Sequence, residues 1–513
     1  MGSGSGTDTD TDRPGRIEAH GIDHVPDRER HGRARELFPV WAAANVNYLS
    51  MVVGGALILM GLSLGQAVAV IVAGSLFWAP IGLLAVSGPA SGTPSEVIAR
   101  AMYGIRGNRV NIAVNGWLLC ICYIALNLAA AAVAAFVLVE KAGIDTNSGV
   151  KVAVVVVIAA LTLAIGVYGH ATMVKLYPPI AIALTVTFAV VAVFVCARAD
   201  LGRQPAEPLS GGALRAALAA GLTLIASGPL SYTNSADFSR YLPRTTSPMA
   251  VAGWTALGGF LPGVLLTSLG ALAATVVDMA EPQAGLEGIL PSWFSPVFLS
   301  AIVLGTIANN AMTAYSSGLA LQAAGVRVRR SLGVLVDGAL GVAVTLYALL
   351  VSDFLDTVAN LLQLTVVVLG PSTAVYATDI LLRGGRYDGL ALTDETPGGP
   401  FWYTGGVNWA GALALTAGIA ASALCVDTLY TGPVARALGG ADLSLPAGIV
   451  VAASVYGLLM RRSLRGRAPA PPGGGGGARG GGRRVGGLPP PKGGEGAPPR
   501  RPRGAGAPPR GGG

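Results

Sequence analysis

The sequence predicts an all-α polytopic membrane protein of about twelve transmembrane helices, and three observations carry that expectation. Hydrophobic residues fill 52% of the 513 positions and charged residues only 12%, with a mean hydropathy of +0.59. Soluble domains carry roughly 25% charged residues, so this inventory cannot cover a water-facing surface. The apolar residues also gather into runs long enough to cross about 30 Å of hydrocarbon, which takes about 20 helical residues. Finally, Lys and Arg concentrate in alternate loops, as they do in spanning proteins.

Residues 1–36 come first; they are polar, lack an apolar period and hold no leader-like hydrophobic core. Composition points to a disordered cytoplasmic extension without a cleavable leader. The transmembrane domain follows over 37–461. Its candidate spans lie near 40–62, 65–87, 110–139, 150–170, 174–196, 213–234, 249–277, 291–321, 333–351, 355–381, 406–427 and 442–460. The third and eighth are long enough to imply tilt or extensions. Residues 462–513 are dominated by Gly, Pro and Arg, cannot bury a core, and are expected as a disordered cytoplasmic tail.

That tail explains the net charge. Arg461 to Gly513 holds twelve Lys/Arg and one acid, Glu495, a balance of +11 that leaves −3 for residues 1–460 of a whole-chain +8. The basicity therefore concerns topology or anionic lipid, and no nucleic-acid partner is expected despite the Arg-Gly repeats. With the N-terminus inside, the cytoplasmic loops hold Arg100, Arg106 and Arg109, Arg240 and Arg244, Arg327, Arg329 and Arg330, and Arg383 and Arg386. Lys141, Lys151, Arg198, Arg203 and Arg215 run against the bias. The even count and the bias place both termini in the cytoplasm, in the cell membrane. Cys120, Cys122, Cys196 and Cys425 sit in apolar runs and read as small hydrophobes.

Three spans carry polar interruptions, which lipid tolerates only where protein or a cavity receives the backbone. The first holds Asn45, Asn47 and Ser50 before Gly54-Gly55. The sixth holds Ser227-Gly228-Pro229 and then Ser231 to Ser235, where proline removes a donor and a helix should break. The eighth holds Gly305-Thr306, Asn309-Asn310 and Thr313. Spans one and six are five apart, so they hold matching places in two halves of five spans, with two extra helices. Paired breaks of this kind point to a midplane binding site, and hence to a small-molecule transporter. An intramembrane enzyme would need a nucleophile–base pair or metal ligands inside the spans. His20, His24 and His31 lie in the extension and His170 at a span end, so neither catalysis nor a transition metal is expected. A channel would show a pore loop and oligomeric repeats.

Several segments also resemble one family. They are Arg28-Glu29-Arg30 ahead of Glu36 to Trp41, the stretch GTPSEVIARAMYGIRG from Gly92 to Gly107, and Asn115-Gly116-Trp117. Asn234 to Pro243, ending in Asp-Phe-Ser-Arg-Tyr-Leu-Pro, is the most specific, and Gly305 to Leu321 and Gly405 to Trp409 add two more. In these the chain resembles nucleobase–cation symporter family 1, in particular its purine–cytosine permease branch. The resemblance implies a leucine-transporter-type fold, two inverted five-helix repeats plus two helices. It also implies symport of a nucleobase such as cytosine or a purine, or of a related hydantoin, allantoin or uracil, with Na⁺ or H⁺ and without a cofactor or obligatory protein partner.

A flat heterocycle offers a stacking face and a donor–acceptor rim. Trp117, at the family's matching place, is the candidate stacking face, and Tyr232 at the sixth-span break is the opposing ring. Asn309 and Asn310 are candidates to read the edge, one of them facing the site, with Gly228 at the break and Asn115 a weaker candidate. For the cation, the family uses first-helix carbonyls and eighth-helix hydroxyls, which maps to Ala44 through Asn47 with Thr306 and Thr313. The family's adjacent hydroxyl pair is not plainly present, so Na⁺ and H⁺ stay open. Asp237 and Arg240 near the cytoplasmic end of span six, and Glu96 and Arg100 in the loop after span two, read as a cytoplasmic gate or structural ion pairs, with Asp237 the candidate gate or proton-coupling residue.

Overall fold

Apolar windows fold as helices because backbone donors and acceptors away from water must pair within their own segment. The computed structural model describes residues 14–205, 207–351, 354–428 and 430–465, and its described side chains exclude 350–364 and 462–465. The first window is a pair of helices, α1 (Leu37–Asn45) and α2 (Tyr48–Leu59), bent by 60° at their break. Then come α3 (Leu64–Ser91), the one-turn α4 (Ser95–Ile98), α5 (Ile105–Lys141), α6 (Ser148–Tyr168), α7 (His170–Cys196) and α8 (Gly211–Leu230). After the one-turn α9 (Ala236–Ser239) follow α10 (Pro248–Ala273), α11 (Ser295–Ala323), α12 (Arg330–Val351), α13 (Phe354–Arg383), α14 (Trp409–Cys425) and α15 (Ser444–Arg465). Every predicted window lands on one of them. Ten helices among the described residues are long and apolar enough to cross a membrane, and the bent pair makes an eleventh. The twelfth window holds α15, one of the ten, and the 406–427 window holds the shorter 17-residue α14.

Local chemistry sets the helix starts. A capping box opens α3, with Ser63 N donating to Gln66 Oε1 at 2.9 Å and Gln66 N to Ser63 Oγ at 3.4 Å. Asn147 and Asn408 cap α6 and α14 in the same sense. Where lipid offers no hydrophobic drive between helices, close backbone approach holds them, and small residues permit it. At the α2–α10 contact a Cβ on Gly54 would lie 1.8 Å from Thr267 O, and one on Gly270 would lie 2.0 Å from Met51 O. The buried helix α11 packs against α5, α1, α6, α7 and α12, while α14 and α15 pack on each other and on α13.

Two expectations are corrected. The interruption predicted in span eight is not a break: α11 runs unbroken for 29 residues. No proline interrupts it, and its polar groups bond within the bundle, Thr306 Oγ1 to Ile302 O at 2.8 Å and Thr313 Oγ1 to Asn309 O at 3.3 Å. Conversely, α5 contains a π-helical turn over Ala113–Leu118 that no sequence pattern announced. Residues 14–36, read as disordered, are folded onto the bundle. Glu18 N donates to Tyr168 O at 3.2 Å, Val25 N to Gly92 O at 2.8 Å and His31 N to Tyr241 O at 2.7 Å. Arg30 donates to Pro89 O at 2.9 Å. These anchors are ionic and backbone contacts, which leave no apolar period to read. Most of the predicted tail, 466–513, lies outside the described residues.

Candidate functional site

The chain leaves helix geometry between α1 and α2 at Val46 and Asn47, and the nearby asparagines take up the freed backbone groups. Asn45 Nδ2 donates to Trp41 O at 2.8 Å. Asn47 caps α2, its Oδ1 accepting Ser50 N at 3.1 Å while its Nδ2 donates to Ala44 O at 2.8 Å. Opposite, α8 ends just beyond Pro229 and residues 231–235 form turns before α9. Ser231 Oγ returns to Gly228 O at 2.6 Å, and Tyr232 N to Pro229 O at 3.0 Å.

Asn309, on the continuous α11, ties the two broken segments together. Its Nδ2 donates to Ala44 O at 3.0 Å and to the Tyr232 hydroxyl at 2.9 Å, and its Oδ1 accepts Asn127 Nδ2 at 3.2 Å. Asn127 Nδ2 also reaches Asn310 Oδ1 at 3.1 Å, and Asn310 Nδ2 donates to Ile124 O at 3.0 Å. Of the asparagine pair, Asn309 lines the cavity described below, and the buried Asn310 makes the α5–α11 contact. Asn309 spends both amide hydrogens on protein, so it positions the break instead of offering free donors.

A cavity of about 1020 Å³, its opening included, lies between the breaks. Asn47, Gly228, Tyr232, Asn309 and Thr313 line it. A Cβ on Gly228 would meet nothing within 4 Å, so the cavity passes beside bare backbone there. Trp78 is the aromatic wall that sequence reading missed. Its ring stacks on Tyr232 at 5.3 Å and 28°, and it lies on Gly259, where a Cβ would come within 2.2 Å of the indole. A tryptophan in mid-span rather than at a lipid interface was the available signal. Asn234 also lines the cavity, and its Oδ1 is buried with no hydrogen-bond partner among the described residues.

Other predicted residues fall elsewhere. Trp117 does not line the cavity; its indole N–H donates to Asp337 Oδ1 at 2.6 Å, while Ser317 Oγ donates to Asp337 Oδ2 at 2.7 Å. A fully buried carboxyl on α12 needs such donors, and that demand turns the ring away from the cavity. Asn115 donates to Asn111 Oδ1 at 2.7 Å and borders a second, smaller cavity. Of the four candidate cation ligands, Asn47 and Thr313 line the cavity. Both lone pairs of the Ala44 carbonyl already accept amide N–H groups, and Thr306 lies outside the lining with its hydroxyl bonded to its own helix.

Asp237 is fully buried in α9, accepting Ser95 N at 2.8 Å and Ser316 Oγ at 2.5 Å. Arg240 turns instead to the N-terminal segment. It donates to Glu18 Oε1 at 2.8 Å, to Gly21 O at 2.6 Å and to the Tyr315 hydroxyl at 2.9 Å. Tyr241 and Tyr315 hydroxyls also donate to Glu18 Oε1, at 2.5 and 2.9 Å, and Arg330 stands 3.6 Å from Oε2. Burial opposes the Glu18 charge, but Arg330 and Arg240 outweigh it and hold the carboxyl at about 2.

Residues 24–448 match the family model described as "permease for cytosine/purines, uracil, thiamine, allantoin". The chain is 26% identical over 473 residues, 88% of this chain and 98% of the relative, to a protein of Bacillus subtilis (strain 168) provisionally named purine-cytosine permease YxlA. Among solved structures it is similar to Mhp1, a nucleobase-cation-symport-1 family transporter, closed with bromovinylhydantoin bound. That likeness has a TM-score of 0.71 at 18% identity, covering 87% of this chain and 96% of that one. A Na⁺-coupled sialic acid symporter shares the fold at a TM-score of 0.56 and 12% identity, over 83% of this chain and 89% of that one.

Proposed function

Because the chain belongs to the family of permeases for cytosine/purines, uracil, thiamine and allantoin, we propose that it is a secondary symporter importing a nucleobase, such as cytosine or a purine, with a cation by alternating access. The observation that carries this reading is the cavity at two matched helix breaks, held by one asparagine. Its walls suit a flat neutral solute, with the stacked pair Trp78 and Tyr232 for the ring face and the buried Asn234 Oδ1 for a rim donor. A related heterocycle, hydantoin, allantoin or uracil, would use the same wall and rim. The coupling cation is Na⁺ or H⁺.

The protein lies in the cell membrane with both termini cytoplasmic, following the Arg-rich alternate loops. In that orientation the Glu18 cluster is the closed cytoplasmic gate, and Asp237 lies within it. Uptake of labelled cytosine, adenine, hypoxanthine, uracil and allantoin by cells producing the chain tests the reading. Saturable uptake of at least one, competed by others, is the expected result; uptake no greater than in cells lacking the chain would overturn it.

A further inference from the structure

The second cavity encloses about 550 Å³ and shares Cys120, Ser231 and Asn234 with the first. It ends at Glu96 of α4, 3% exposed. Asp237 accepts the N–H of Ser95, the residue before Glu96, and Ala236 N donates to Ser95 Oγ, so the two buried carboxyls are neighbours, and Glu96 Oε2 has no partner among the described residues. An unpaired, buried carboxyl oxygen bordering a cavity is costly unless it serves something that comes and goes. Building on the symporter reading above, we propose that the coupling cation is a proton, carried by the carboxyl pair Glu96–Asp237 and reached through this second cavity.

Two neighbouring buried carboxyls favour holding one proton, because adjacent like charges in a dry site repel. Burial raises Glu96 well above the usual carboxylate range, with Asp237 adding to it, and burial raises Asp237 as well. Among the described residues, the nearby countercharges are already engaged by other carboxylates. Arg240 faces the pair from α9 but is engaged by Glu18, and Arg100 next to α4 is bonded to Glu395 at 2.5 Å. The other titratable groups around the pair are Tyr315 on α11, Tyr376 on α13, Cys120 on α5 and Tyr103. With one proton on the pair, the three carboxyls of Glu18, Glu96 and Asp237 balance the guanidinium groups of Arg240 and Arg330. Without it the buried cluster is left one negative charge in excess.

Coupling to substrate follows from chain connectivity. Asp237 sits directly after the broken segment 231–235, which carries Tyr232 into the first cavity and Ser231 and Asn234 into both. A solute that moves this segment moves Asp237 against Glu96. The proton would pass from the first cavity through the second onto Glu96 Oε2 and leave when the same oxygen meets the opposite compartment. At Ala44 an alkali ion would have to displace one of the two N–H donors that its carbonyl already accepts.

Proteoliposomes holding the full chain separate this inference from the reading beneath it. Counterflow of a labelled heterocycle needs only the substrate cavity and alternating access. Accumulation under an acid-outside gradient, up to about tenfold per pH unit at one proton per solute, needs the pair. Wild-type protein is expected to take up protons when substrate is added, read by a pH dye in weakly buffered vesicles. Glu96→Gln, a neutral isostere, is expected to keep counterflow and lose gradient-driven accumulation. Na⁺-driven accumulation without substrate-induced proton movement overturns the proposal, as does a Glu96→Gln chain that still concentrates substrate under the pH gradient. The proton measurement is made on wild type, so a variant that misfolds leaves the test intact. Absence of wild-type counterflow for every heterocycle would remove the symporter reading itself, and with it the pair's role.

Discussion

Asn309 donates to the hydroxyl of Tyr232 at 2.9 Å, and the same nitrogen donates to the Ala44 carbonyl at 3.0 Å. One amide on an unbroken helix thus fixes both broken helices at the height of the cavity. Asn309→Ala frees both, so transport should fall more than binding. A turnover loss of at least about tenfold is expected, from one or two lost hydrogen bonds of about 1 kcal/mol each and a buried Tyr232 hydroxyl left unpaired. Tyr232→Phe removes one of these bonds and keeps the ring, and should cost about fivefold. Initial uptake rates set beside equilibrium binding check the split.

Trp78 and Trp117 should respond in opposite ways. Trp78→Ala deletes the ring stacked on Tyr232 and is expected to weaken substrate binding by about tenfold. Trp117→Phe leaves Asp337 Oδ1 without its indole donor, about 1–3 kcal/mol of stability, while the affinity stays within about twofold. Melting temperature and binding affinity, measured on both variants, discriminate. A Trp117→Phe chain that melts normally but no longer binds would return that ring to the site.

Acid should loosen the N-terminal segment. Glu18 is held at about 2, below its ordinary 4.5, so the stability it contributes is complete above about pH 4.5 and lost as pH falls toward 2. The contribution is on the order of 3 kcal/mol. Proteolysis within residues 14–36, followed from pH 6 to pH 3, should accelerate for wild type. Glu18→Gln should be cleaved readily at both ends of that range, because it strands the buried Arg240, a change that costs about 3–5 kcal/mol.

The α2–α10 contact tolerates no side chain. Gly270→Ala places a methyl 2.0 Å from Met51 O, so the helices must part at a cost of about 1–3 kcal/mol. A lower melting temperature and a reduced monodisperse yield are expected. Gly253→Ala on the same helix meets nothing within 4 Å and should leave both unchanged.

Spans were legible because each needs a long apolar run, and the breaks at 46–47 and 231–235 because Asn, Ser and Pro interrupt such runs. Tyr232 and Asn309 were found for the same reason. Polarity alone misled at α11, where Thr306 and Thr313 satisfy themselves within one helix. Trp117 was misplaced because a sequence does not state which partner claims an indole N–H; here Asp337, 220 residues away, does. Glu18 was missed because its partners, Arg240, Tyr315 and Arg330, lie far along the chain, and an ion-paired strap carries no hydrophobic period.

In the proposed function, the cavity joined by Asn309 carries a nucleobase-like heterocycle across the membrane. Counterflow of labelled cytosine, adenine, hypoxanthine, uracil and allantoin into vesicles holding the wild-type or Asn309→Ala chain tests it most directly. Saturable exchange of at least one heterocycle by wild type, reduced at least about tenfold in the variant, is the expected result. Exchange of none, or equal exchange by both proteins, would contradict the account.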